Sequence, residues 1–161
     1  MDIYNHFDYG EQLAIRLKPI AHTPEKPRYF KAFGLEDLFT FDDKLSSVSG
    51  TIMVAVDGYE SESKDNGADG LTDRQQYAFI VARNTVSDRP DTLASAFREC
   101  RKICKQIRNA LLQDTQLSSI IDRDTQINGI GPIGDNFYGC LLSFSMRESE
   151  DFLLDETFWN K

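Results

Sequence analysis

Apolar residues recur along 91–113 at Leu93, Phe97, Cys100, Cys104, Ile107 and Leu111, spaced four, three, four, three and four. That spacing keeps one face of an α-helix turned toward a core. Ala96, Ile103 and Ala110 widen the stripe, so the pattern predicts a helix lying across a sheet. Pro90 suits the first turn, where its missing N–H leaves no bond unmade, and Asp88 or Asp91 is the expected cap. Other segments read as strands. Thr51–Val56 (TIMVAV) is a compact β-branched run and Gln75–Thr85 (QQYAFIVARNT) is a second. Phe137–Glu148 alternates with period two: Tyr138, Cys140, Leu142, Phe144 and Met146 on one face, Gly139, Leu141, Ser143 and Ser145 on the other. This predicts one buried face. Tyr29–Phe33 is a candidate strand. Residues 8–18 read as a short helix that Pro19 ends or kinks. Leu35, Leu38, Phe39 and Phe41 fit either a helical turn or a clamp loop.

The intervening segments are polar. Between the first two strands lies DGYESESKDNGADGLTD, with Asp57, Glu60, Glu62, Asp65, Asp69 and Asp73 against Lys64. It reads as a long hairpin with a mobile tip. After Leu117, Ile120 and Ile121 comes NGIGPIGDN, read as a demanding turn that sets the final strand. Residues 149–161, SEDFLLDETFWNK, mix Phe152, Leu153, Leu154, Phe158 and Trp159 with acids. They either fold back on the domain or form an arm for a neighbouring subunit. The expected architecture is therefore α+β: a mainly antiparallel sheet, one long helix on a face, a long acidic hairpin, one domain over 1–148 and a C-terminal arm over 149–161.

Charge sharpens this picture. The 161 residues carry a formal net charge of −8, which disfavours a general nucleic-acid binder. Yet Arg98, Arg101, Lys102, Lys105 and Arg108 line one edge of the long helix. They form either a solvated polar face or a docking strip for an acidic surface, such as another copy of the chain. Candidate interface residues are these five, with Glu60, Glu62 and Asp65 of the hairpin and Phe152, Leu154, Phe158 and Trp159 of the arm. No apolar run is long enough to span a membrane. MDIYNHFDYGEQ has neither the basic start nor the apolar stretch of a signal peptide.

Tests for chemistry return little. Gly129–Gly134 matches G-x-G-x-x-G, but it follows a helical region and precedes a strand, and Pro132 removes a donor, so a nucleotide site is not expected. Asp65, Asp69 and Gly70 hint at a calcium loop, but Gly67 stands at the third position and Gln76 at the twelfth, where oxygen ligands are required. Cys100, Cys104 and Cys140 are read as small buried thiols, and no Cys/His cluster offers a zinc site. His6 and His22 have no partners at ligand or triad spacing and are expected to face solvent or cap a turn. No nucleophile elbow, zincin helix or P-loop lysine is present. No enzyme activity, cofactor or metal is expected.

The order of parts, carried by TIMVAV, QYAFIVAR, the 91–113 helix and GIGPIGDNFYGCLLSFSM, resembles the α/β tail-terminator and related neck proteins of tailed bacteriophages and phage-derived particles. These segments cover about half of the chain, and the 57–74 hairpin departs from the pattern. The resemblance implies a non-catalytic subunit without cofactor, assembling as a ring, commonly sixfold, that joins the tail tube to the head-side connector. It also implies contacts with other tail or virion proteins and assembly in the host cytoplasm, with no membrane or direct nucleic-acid role. A head-completion or tail-tube subunit is the alternative within that class. A small acidic cytoplasmic adaptor or inhibitor is the alternative outside it.

Overall fold

A computed structural model of the chain describes residues 4–160; Met1–Ile3 of the polar N-terminal stretch and Lys161 of the arm lie outside the described residues. The fold is α+β. Five strands, β1 (Tyr29–Phe33), β2 (Thr51–Asp65), β3 (Leu71–Asn84), β4 (Gln126–Ile133) and β5 (Phe137–Glu150), form one sheet in the order β1-β2-β3-β5-β4. All neighbours are antiparallel except β1, which runs parallel to β2.

Two helices share one face. Helix α1 (His6–Arg16) starts two residues earlier than the sequence predicts, because the Asn5 side chain accepts the Asp8 N–H at 3.1 Å and so caps it. The long helix, here α3 (Pro90–Gln113), buries Cys100, Cys104, Ile107 and Leu111 against Met53, Phe79, Val81, Leu142 and Phe144. Neither Asp88 nor Asp91 caps it: Arg89 stands at that position without a side-chain cap. Instead the Thr92 hydroxyl accepts the Val86 N–H at 3.1 Å and donates to the Arg89 carbonyl at 2.7 Å, tying the first turn down.

The opposite face is covered too. The segment joining β1 to β2 forms a 3₁₀ turn, Leu35–Thr40, and a one-turn helix, α2 (Phe41–Leu45). Phe41 and Leu45 are buried on Ile52, Val54, Ala78, Ile80 and Phe137. The expectation that the last strand buries a single face is thus corrected. Leu141, Ser143 and Ser145, on the face away from α3, are all under 9% exposed. Central strands between two layers lose the polar alternation of a half-solvated strand.

A segment expected as a hairpin with a long mobile tip and one expected as a turn are strand along most of their length. The β2–β3 ladder continues from Glu60↔Gln76 to Asp65↔Leu71 after an irregularity between Val56 and Glu60, so the connection shrinks to residues 66–70. Cross-strand pairs hold this polar extension: Ser63 donates to Asp73 at 2.5 Å, and Arg74 lies 3.6 Å from Glu62. The glycine-rich turn is β4, an edge strand paired to β5 from Gln126↔Ser143 to Ile133↔Phe137. Its glycines make room for aromatic rings; a Cβ on Gly129 would sit 3.1 Å from the Phe97 ring.

Candidate functional site

The basic residues lie on the outer side of α3. Arg98, Arg101 and Lys102 are exposed, and Lys105 and Arg108 are half-buried. Lys102 approaches Glu99 at 3.4 Å, and Arg108 donates twice to Asn109 Oδ1. Among the described residues, Arg98, Arg101 and Lys105 take part in no ion pair. The helix carries five cations against two acids, Asp91 and Glu99, so the strip is a local positive field on an acidic protein.

Phe97 stands beside the strip. The seam spacing predicts it as core, but it is 43% exposed. The reason is position: the first turns of α3 overhang edge strand β4, beyond which no further strand lies among the described residues, so the ring has sheet beneath it and solvent at its flank. One shallow depression lies between Phe97, Ala94 and the four cations from Arg98 to Lys105. A second lies on the other side, between Phe97, Leu93, Ile130 and Tyr138. Phe97 is thus a ridge between an apolar hollow and a cation-rimmed one.

The acidic candidates sit elsewhere. The β2–β3 hairpin projects Glu60, Glu62 and Asp65 into solvent. Glu62 lies within 3.5 Å of Lys64 and 3.6 Å of Arg74, and Asp65 accepts the Gly67 N–H at 2.8 Å. Glu60 has no ion-pair partner among the described residues. Strand β5 ends beside this hairpin, with Glu150 opposite Leu71, so the arm starts there, at Asp151. Every residue from 151 to 160 is exposed: Phe152 66%, Leu154 67%, Phe158 84% and Trp159 59%. The arm therefore does not fold back into its own core. It is locally ordered all the same. Asp151 accepts the Leu153 N–H at 3.0 Å, and Asp155 accepts from the Thr157 N–H and hydroxyl, opening a single 3₁₀ turn, Glu156–Phe158.

Acidic and basic candidates are thus separated in space, and among the described residues no ion pair joins them. An exposed apolar arm, an acidic hairpin tip and a basic, aromatic-bearing helix edge can bind by surface complementarity.

The two histidines part ways. His22 caps a turn as expected, its Nδ1 accepting the Arg28 and Tyr29 N–H groups at 2.9 and 3.1 Å. His6 contradicts the expectation of a solvent-facing or capping residue. It is 2% exposed, stacked between Phe79 and Tyr77 with ring centroids 4.2 and 4.8 Å away. A carbonyl can only accept, so Nε2–H donates to the Ala78 carbonyl at 2.8 Å, and Nδ1 accepts the Tyr4 hydroxyl at 2.7 Å. Desolvation lowers its pKa to about 4. This fully satisfied histidine pins α1 to β3. The three cysteines are buried, and burial pushes the Cys100 thiol up to about 12, far from the thiolate a nucleophile needs.

No protein-family model matches the chain, and no curated protein matches it.

Proposed function

We propose that this chain is a non-catalytic structural assembly subunit that joins copies of itself head to tail. The kind of assembly that suits it best is the tail-terminator or neck ring of a phage or phage-like particle, where it would link the tail tube to the head-side connector and meet other virion proteins. The observation that carries the reading is the segregation of complementary surface on one chain. Among the described residues, Arg98, Arg101, Lys105 and Arg108 of α3 take part in no ion pair, while the acidic hairpin lies beside the start of an arm that bares Phe152, Phe158 and Trp159. Two different patches that satisfy each other only between copies make a heterologous contact, which closes into a ring or runs on as a filament.

The exposed arm also suits an adaptor that stays monomeric until it meets another protein, and mass separates the two readings. Light scattering and negative-stain microscopy of the purified chain should give a closed ring. Reversing two strip charges, Arg101→Glu with Lys105→Glu, should weaken self-association by about 2 kcal/mol, on the order of 30-fold in Kd. A chain that remains monomeric at high concentration overturns the reading, and so does a double variant that assembles as the wild type does.

A further inference from the structure

We infer that the C-terminal arm of one copy docks in the Phe97 groove of the next, with Phe152, Leu153 and Leu154 against the ring and the arm's acids against the cationic rim. The inference rests on the assembly reading above and names the contact that would hold it.

Three observations converge. The first is exposure at both ends of the contact. The arm bares five large apolar side chains, and Phe97 is bared on α3 in a position that its seam spacing assigns to the core. Ten residues of chain without one buried side chain are costly to leave in water unless a partner surface covers them. The second is charge. Glu150, Asp151, Asp155 and Glu156 surround the apolar residues of the arm, and Arg98, Arg101, Lys102 and Lys105 rim the hollow beside Phe97. An apolar centre inside complementary charges is the usual anatomy of a specific contact.

The third is reach, which decides between the chain's own groove and a neighbour's. The Phe97 carbonyl lies 3.5 Å from Cys140 Sγ, so the groove sits above the start of β5. The arm leaves β5 at its far end, Glu150, ten positions further on. At roughly 3.3 Å per residue the two are about 33 Å apart. Leu154 is four residues past Glu150 and can travel at most about 14 Å. Phe152, Leu153 and Leu154 therefore cannot meet Phe97 of their own chain. The local turns at Asp151 and Asp155 hold these side chains outward and lower the entropy lost on docking.

Complementation of two full-length variants tests the inference. Phe152→Ser with Leu154→Ser keeps the groove and spoils the arm; Phe97→Glu keeps the arm and spoils the groove. All three sites are exposed, so both proteins should fold, which circular dichroism and melting temperature verify. Each variant alone should lose self-association at least tenfold in Kd, whereas an equimolar mixture should form a one-to-one dimer and stop there. Trp159 is the only tryptophan of the chain, so its emission should shift to the blue as the wild type assembles and stay red in the arm variant. The inference falls if both variants assemble as the wild type does. It falls equally if the arm variant loses nothing while the strip reversal does, a result that leaves the assembly reading standing. A monomeric wild type whose Trp159 emission is insensitive to concentration removes both.

Discussion

His6 gives the fold a pH dependence whose sign and size follow from its surroundings. Its ring is 2% exposed and its pKa is lowered from 6.5 to about 4 by burial, partly opposed by the bond to the Ala78 carbonyl and the charge of Asp57. Between those two values the unfolded chain binds a proton that the folded chain refuses, so stability rises with pH through this window. The contribution is complete above about pH 6.5 and is lost as pH falls toward 4, by which point the loss is about 3 kcal/mol. From pH 7.5 to pH 5 the loss is about 2 kcal/mol, or roughly 6 °C in melting temperature for a domain of this size. The charged ring would also force the Tyr4 hydroxyl to turn its proton away from Nδ1. Urea titrations at both pH values, on the wild type and on His6→Gln, measure the difference directly. Gln keeps an N–H for the Ala78 carbonyl but does not titrate, and contributions from carboxylates cancel between the two proteins. The wild type should lose about 2 kcal/mol more than the variant. Equal losses would refute the reasoning, because a histidine that costs nothing to protonate is not desolvated.

Other expected outcomes concern separate links of the structure. A Cβ on Gly139 would lie 1.9 Å from the Val81 carbonyl oxygen, inside the sheet where neither strand can retreat; Gly139→Ala should cost about 3 kcal/mol by denaturant titration, and a midpoint like the wild type's would show that the strands part more freely. Arg74 meets Asp122 at 2.7 Å, joining the hairpin base to the segment after α3. Arg74→Ala should cost up to about 1 kcal/mol, less at high salt. The Asp122 carboxyl is held below its usual range, first by the Asp124 N–H and also by Arg74, so this stabilisation is present above the unfolded pKa and is lost as pH falls below it. The three buried cysteines should resist a disulfide reagent in the folded chain at pH 8 and react promptly in denaturant; a fast thiol in the native protein would contradict their burial.

The features legible from the residues alone were those set by burial on a regular period. The α3 seam from Cys100 to Leu111 could be read because each of its positions meets the sheet. Phe97 could not, since periodicity tells which residues share a face but not where the supporting sheet ends. The strand character of 57–65 and 126–133 was hidden for a related reason. Ser63, Glu62 and Gly129 have no strand propensity of their own; they are strands because Asp73, Arg74 and Cys140 lie across the ladder from them, and strand preference depends on that context. His6 misled because what buries it is β3, more than 70 positions away in sequence. Of the candidate interface, the strip and the arm were readable as charge and aromatic pattern. What needed coordinates was that they face solvent at separate places, and that Phe97 joins the strip.

The two outermost strands limit how such a chain can be built into something larger. β1 is five residues long and runs parallel to its neighbour, while β4 carries Pro132, which has no N–H to donate, and Gly129 and Gly131, whose places the Phe97 ring of α3 and the Tyr138 ring of β5 need. Short or proline-bearing edges resist pairing with another sheet. Growth along the hydrogen-bonding direction, the route to indiscriminate fibres, is thereby discouraged on both sides. What remains open to contact are surfaces made of side chains, where a single residue such as Phe97 or Arg101 sets which neighbour is accepted.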